Sequence, residues 1–295
     1  MIGRITSSTM TQQSLRTLQT NLAERERLQN QAASQRAFRS PSEDPAAAAT
    51  TIGVHGEQSR VAQYARNLSD GMAWVTTVDA ALDASTDLLN RARDLVAQGA
   101  NSGALSPTAR DAIAQELETI STELLSQANT TLLGRSVFAG TSDADAAFDR
   151  TTFTFNGAPG DGVQRRISAN ETVRVDYDGG QVFGQGATSA FALLNDIAAE
   201  LRGGAEIGGR LNDIDARLKD VVSARGATGA RQVQIERATA QNLSTSIDLE
   251  ARRTEVENVD TLEVLVNLES AELVFQSALQ VTARSLQTNL MEFLR

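Results

Sequence analysis

From Val61 to Val96 apolar residues recur at alternating steps of three and four: Val61, Tyr64, Leu68, Gly71, Val75, Val78, Leu82, Ser85, Leu89, Ala92 and Val96. The two exceptions, Gly71 and Ser85, are small. A heptad pattern held over five repeats predicts one long helix with a coiled-coil seam, and residues 58–98 as a single helix would reach roughly 60 Å. Gly99, Asn101, Ser102 and Gly103 predict its end, and Ser106-Pro107 restarts a helix with Ser106 as cap. The stripe Ile113, Leu117, Ile120, Leu124, Ala128 and Leu132 then predicts a second helix, folded back on the first as a hairpin.

The ends carry narrower stripes. Leu15, Leu18 and Leu22 are spaced for one thin helical face. Ser40-Pro41-Ser42-Glu43-Asp44-Pro45 interrupts any helix there, with Ser42 or Asp44 placed to cap the next helix and Pro45 suited to a first turn. Ile207, Leu211, Ile214, Leu218 and Val221 predict a returning helix, and Gly226-Ala227-Thr228-Gly229 predicts a break in it. Between Ala230 and Arg295 there is neither Gly nor Pro, so a long helix is expected. Val233, Ala240, Leu243, Ile247, Val259, Leu262 and Val266 would form one seam, and Phe275, Leu279, Ala283, Leu286, Leu290 and Phe293 another. From about Val137 to Gly186 the period changes to two. Thr151–Phe155, Val163–Ile167 and Thr172–Tyr177 read as short strands among glycine-rich turns.

The predicted fold is mainly α with a small β-rich insert, a long antiparallel bundle or coiled coil made by pairing the N- and C-terminal segments, since neither end buries its stripe alone. Its expected divisions are an N-terminal helix of an inner assembly core (1–40), a helical hairpin (41–136), a small β-rich outer domain (137–188), returning helices (189–255) and a C-terminal core helix (256–295). The insert is expected to be dispensable for folding the helices, which supply their own seam without it. The two ends are expected to be unfolded in the free subunit and to become helices only on assembly.

Composition narrows the chemistry. Cysteine is absent and histidine occurs once, at His55. No thiol nucleophile, zinc-thiolate site or His-pair metal motif can be built, and no cofactor or metal is expected. His55, between Gly53 and Gly56, reads as a solvent-facing or loop residue. Asp176-Tyr177-Asp178-Gly179 lacks the remaining ligand spacing of a calcium loop, and the glycines from 157 to 162 lack the Lys of a phosphate loop. Trp74, beside the seam, reads as a packed indole. A net charge of −10 disfavours nucleic acid, and no stretch of 18 apolar residues suggests a membrane span. The charge is uneven: residues 1–40 hold six Arg against two Glu, whereas 256–295 hold six acids against two Arg. The ends can therefore attract each other, although exposed charges add little energy.

Several segments together resemble the flagellin superfamily. They are Met1–Leu28 with Ile2, Ile5 and Met10; Arg39-Ser40-Pro41-Ser42-Glu43-Asp44-Pro45-Ala46-Ala47; Asn67-Leu68-Ser69-Asp70-Gly71; Leu133-Gly134-Arg135-Ser136-Val137-Phe138-Ala139-Gly140-Thr141; and Leu273–Arg295, closing in Asn-Leu-Met-Glu-Phe-Leu-Arg. One departure is Ala33-Ser34-Gln35, where the family usually has Ser-Ser-Gly. The resemblance is strongest to members that join hook to filament. It implies a structural subunit, not an enzyme, that self-associates in a ring at the hook tip, with the other hook-associated junction protein below and flagellin above. It further implies export to the extracellular flagellum through a type III channel without a cleaved signal, aided by an export chaperone. Leu15, Leu18, Leu22, Leu279, Leu286, Leu290 and Phe293 would then form the assembly interface. Flagellin itself, or a cytoplasmic coiled-coil scaffold, are the competing readings.

Overall fold

The computed structural model describes the backbone at 7–100, 106–158, 160 and 162–293. Within these residues seven α-helices and four short strands run in the order α1 (Ser7–Ser34), α2 (Pro45–Ala100), α3 (Pro107–Ala128), β1 (Thr131–Leu132), β2 (Arg135–Ser136), β3 (Gln164–Arg166), β4 (Thr172–Arg174), α4 (Gly179–Phe183), α5 (Ala190–Arg202), α6 (Arg210–Glu257) and α7 (Thr261–Phe293). The chain divides into two compact units, residues 60–245 and the paired segments 1–59 with 246–295.

In the 60–245 unit, α2 supplies the predicted seam. Ten of its eleven heptad positions are buried, and Tyr64 is half-buried. Both exceptions to apolarity have a physical reason. The Ser85 hydroxyl donates to the Ala81 carbonyl at 2.6 Å, which satisfies it inside its own helix. Gly71 lies where a Cβ would come within 3.3 Å of Val175 Cγ1 and 3.6 Å of Ile235 Cδ1, so its missing side chain admits the insert beside α2. The helix α6 runs antiparallel to α2. Asn242 donates to the Val61 carbonyl, Arg225 pairs with Asp79 and Asp83, and Arg93 pairs with Asp215. Arg91 on α2 meets Glu116 on α3 at 2.7 Å, and α3 packs against α5. Ser106 caps α3 by accepting from the Ala109 amide, with Pro107 in the first turn. Ser189 caps α5 through the Ala192 amide.

The helix α6 continues through Gly226 and Gly229, where a break is predicted. A mid-helix glycine costs about 1 kcal/mol relative to alanine. Burial of Val221, Ala224, Thr228 and Ile235 on one side of α6 outweighs that cost. Conversely, the glycine- and proline-free stretch does break, at 258–260. There the Ala37 amide donates to the Glu257 carbonyl at 2.8 Å and the Val259 amide donates to the Gln35 carbonyl at 3.3 Å. Asp260 then caps α7 by accepting from the Leu262 and Glu263 amides. A partner distant in sequence ends this helix, and no local residue signals it.

The insert also differs in detail. Helix α3 stops at Ala128, and Leu132 belongs to a hairpin, β1–β2, that the periodicity does not show. Its two-residue turn, Leu133 (φ 52°) and Gly134 (φ 78°), has both residues in the left-handed region, as a type I′ turn requires. Strands β3 and β4 pair antiparallel in the register Gln164–Arg174, Arg165–Val173, Arg166–Thr172. Thr151–Phe155 is a turn with a single bridge, Phe148 to Phe155, held by Asp149, whose carboxylate accepts from the Thr151 and Thr152 amides. Three threonines with branched side chains suggested a strand; the Asp149 side chain competes with sheet pairing and wins. Asp178 caps α4 through the Gly180 amide at 2.9 Å, and Asp176 is buried with Arg174 on its Oδ1 at 2.8 Å.

The insert shares its core with the helices. Phe138, Phe148, Phe183 and Phe191 are fully buried and meet edge to face or stacked, with ring centroids 5.2 to 6.0 Å apart. Phe191 comes from α5 and the other three from the insert. Val163, Ile167, Val173, Val175 and Val182 join the same core as Leu68, Val75 and Ile235. Polar ties reinforce it: Asn67 on α2 donates to the Arg166 carbonyl at 2.7 Å, and Arg231 on α6 donates to the Asp176 carbonyl at 2.7 Å. Trp74 is buried, as expected. At the surface, Arg202 holds the Glu118 carboxyl, and Arg210 the Glu200 carboxyl, below the usual carboxylate range. Their stabilisation is present above that range and is lost as pH falls through the lowered values.

Candidate assembly surface

The unit formed by 1–59 and 246–295 carries the terminal stripes. Asp44 starts α2 by accepting from the Ala46 and Ala47 amides, with Pro45 in the first turn. The first turns of α2 lie beside the end of α6, where Gln58 donates to Glu250 at 3.1 Å and His55 Nε2 sits 2.8 Å from a Glu257 carboxylate oxygen. His55 is therefore a half-exposed helical residue with a carboxylate partner. Arg253 holds Glu250, and Arg27 holds Glu24, below the ordinary carboxylate range by hydrogen bonding.

The chain between α1 and α2 turns at Gln35, whose φ of 56° is left-handed. The family's glycine is missing at this position, yet the backbone keeps the shape a glycine would take. A left-handed residue with a Cβ costs roughly 1–2 kcal/mol. Gln35→Gly is therefore expected to stabilise the chain by about 1 kcal/mol, because glycine gives back part of the gain as unfolded-state entropy. Urea unfolding at equilibrium checks it, and an unchanged or lower midpoint contradicts it.

Helices α1 and α7 pair antiparallel. The 35–37 strand-like contact with 257–259 fixes one end, and the Arg25 guanidinium over the Phe275 ring, 4.8 Å from its centroid, fixes a point further along. On α7 the positions withdrawn from solvent are Val264, Leu268, Ala271, Phe275, Ala278 and Thr282, a heptad alternation; on α1 they include Leu18, Leu22, Arg25 and Leu28. The ends, expected to be unfolded in a free subunit, are helical in the single chain instead, because each is the other's partner. Arg25 meets an aromatic ring, and Arg27 pairs with Glu24 in its own helix at 2.5 Å.

Of the residues predicted for the interface, Leu18 and Leu22 lie half-buried on the α1–α7 seam. Leu15 and Leu279 are about half exposed. Leu286, Leu290 and Phe293 fall on α7, but their side chains lie outside the described residues. Leu28 and Val264, buried in the seam, are missing from the prediction. Leu28 follows a polar run, Glu24-Arg25-Glu26-Arg27, which hides its place in the stripe. The seam expected through Val233, Leu243, Ile247, Leu262 and Val266 faces solvent instead. Its apolar spacing is real, but Ile235, Leu249 and Val264 are the residues turned inward.

The result, among the described residues, is a set of exposed aliphatic side chains. In the terminal unit Ile247, Leu262, Leu265, Val266, Leu273, Val274, Leu279 and Val281 are all exposed. Contiguous apolar patches of this kind mark interaction sites in water-soluble proteins. Among the described residues no cluster of three or more metal-ligating side chains is gathered, and no helix is long and apolar enough to cross a membrane.

Comparison with known families agrees with a mainly helical protein. The profile of the bacterial flagellin N-terminal helical region matches residues 5–143, and that of the C-terminal helical region matches residues 211–294. The chain belongs to the flagellin family. Flagellar hook-associated protein 3 of Salmonella typhimurium is 27% identical, over 61% of this chain and 56% of its own length. The Escherichia coli protein of the same name is 22% identical over 88% and 83%, and Bacillus subtilis flagellin 25% over 86% and 87%. The aligned region spans little more than half of the Salmonella relative. A solved hook-associated protein from Vibrio parahaemolyticus, described as putative, shares the fold with a TM-score of 0.67 at 22% identity, covering 73% of this chain and all of that one.

Proposed function

We propose that this chain is a structural subunit of the junction between flagellar hook and filament. The exposed aliphatic surface of α7 and the end of α6 carries the reading: a family of helical subunits supplies the occupant for it, namely further copies of a similar chain. In this reading copies associate laterally in a ring through Leu15, Leu18, Leu22, Leu279, Leu286, Leu290 and Phe293, and through the exposed residues from Leu262 to Val281. The other hook-associated junction protein packs below the ring and flagellin above it. The chain reaches the outside through the flagellar export channel, without a cleaved signal and with an export chaperone, and it performs no catalysis.

Two relatives carrying the hook-associated name support the junction over the filament. The similarity to a Bacillus flagellin over most of both chains keeps flagellin as the second reading. A mass-spectrometric census of sheared, washed flagella separates them. A junction subunit is present at a small fraction of the flagellin amount. Dominance of this chain makes it the filament subunit, and its absence from the washed filaments overturns both.

A further inference from the structure

A cleft of about 460 Å³ opens where the last turns of α3 meet α5 and the turn 149–153. It belongs to the 60–245 unit and is separate from the assembly surface. Phe153 lines it, and its backbone is left-handed, at φ 53°. A bulky residue in that region is strained, and such strain persists only where neighbouring structure enforces it. Two backbone hydrogen bonds do so here. The Phe153 amide donates to the Asp149 carbonyl at 3.1 Å, and the Gly186 amide donates to the Phe153 carbonyl at 2.9 Å. The ring leans on Phe191 at 5.7 Å and remains partly open to the cleft.

The polar lining divides into groups already used and groups left over. The Ser121 hydroxyl donates to the Phe191 carbonyl, and both ends of the Asn129 amide are taken by the Phe148 backbone. The Asp149 carboxylate is occupied by Thr151 and Thr152, which holds it below its ordinary range through those hydrogen bonds. Left over are the Ser126 hydroxyl, the Asn195 amide and the Arg150 guanidinium, for which the described residues provide no side-chain partner.

We infer that this cleft binds an acidic monosaccharide, a hexose ring bearing one carboxylate. A fixed phenyl face suits the C–H face of a sugar ring. A free amide and a free hydroxyl suit ring hydroxyls, and a guanidinium binds a carboxylate in bidentate fashion. The volume lies within the range of small-ligand sites. A wholly apolar ligand would leave the half-buried Asn195 amide unpaired, and a cation would meet Arg150.

The test uses the full chain, isotope-labelled, titrated with glucuronate, glucose and acetate while amide shifts are followed. Glucuronate should give saturable shifts at residues 126, 150–153 and 195. Glucose and acetate should bind at least about tenfold more weakly, a difference of about 1.4 kcal/mol. Arg150 is exposed, so Arg150→Gln should fold normally and lower glucuronate affinity by about tenfold; Asn195→Ala should weaken glucose and glucuronate alike. Absence of saturable shifts at about 10 mM glucuronate, an affinity equivalent to −2.7 kcal/mol, overturns the proposal. So does acetate binding as tightly as glucuronate, or affinity unchanged in both variants.

Discussion

Replacing Thr151–Gly186 by a short Gly/Ser linker is expected to unfold the 60–245 unit at temperatures where the intact chain is folded. The length of the linker is a minor matter, because closure entropy grows slowly with loop length. What decides the outcome is the core. The replaced segment supplies Val163, Ile167, Val173, Val175, Val182 and Phe183, all buried in the cluster that holds the α2–α6 seam. Burying one such side chain contributes about 1.5–3 kcal/mol. Six of them contribute about 9–18 kcal/mol, as much as the roughly 5–15 kcal/mol by which a domain is stable. The replacement also strips Phe138, Phe148 and Phe191 of the Phe183 ring that each one touches. Helical circular dichroism against temperature checks it. A melting curve like that of the intact chain contradicts the shared core and restores an independent outer domain.

Leu82→Ala comes next in size. Leu82 is fully buried at a heptad position of α2, and truncating a buried leucine costs about 2–5 kcal/mol, the larger values where the surroundings cannot collapse into the cavity. For a unit of this size the melting temperature should fall by on the order of 10 °C. Leu262→Ala is the matched control, since Leu262 is exposed on α7 and its truncation should leave the monomer's melting temperature within about a degree. If both variants melt alike, the heptad register on α2 is wrong.

Much of this fold is legible in the chain because its signals are local. The α2 seam repeats every 3.5 residues, and the starts of α2 and α3 are marked by an Asp or Ser cap followed by proline. Two of the misreadings share one cause, contacts between residues far apart in sequence. Gly226 and Gly229 sit inside a helix because α6 is held along one side by residues it buries. The break at 258–260 exists because Gln35 and Ala37 bind the backbone there. In the stretch from Val233 to Val266, hydrophobic spacing marks an apolar stripe correctly and assigns it to the interior, yet the chain leaves it facing outward. Periodicity identifies a face that must be covered and does not say whether the same chain covers it. Of the candidate interface, the pairing of the ends could be read from their narrow stripes, whereas the charges described on α1 meet a ring or their own helix. Leu28 and Val264 could not, because a polar run masks the first and a register shift the second. Gln35 shows the reverse case: without a glycine the backbone still turns left-handed there, at a cost in strain.

The central claim is that α7 and the end of α6, paired with α1, carry an aliphatic surface that further copies cover on assembly. Amide hydrogen exchange, followed by mass spectrometry on the dilute monomer and on the chain within intact flagella, tests it directly. Opening free energies in the monomer should be lower for residues 7–34 and 261–293 than for the buried α2 and α3 seams, because a two-helix pair with one narrow seam has few buried contacts to break. In the flagellum those same amides should exchange at least about a hundredfold more slowly, the slowing expected from roughly 2.7 kcal/mol of added burial. Equal exchange of both segments in monomer and flagellum would contradict it.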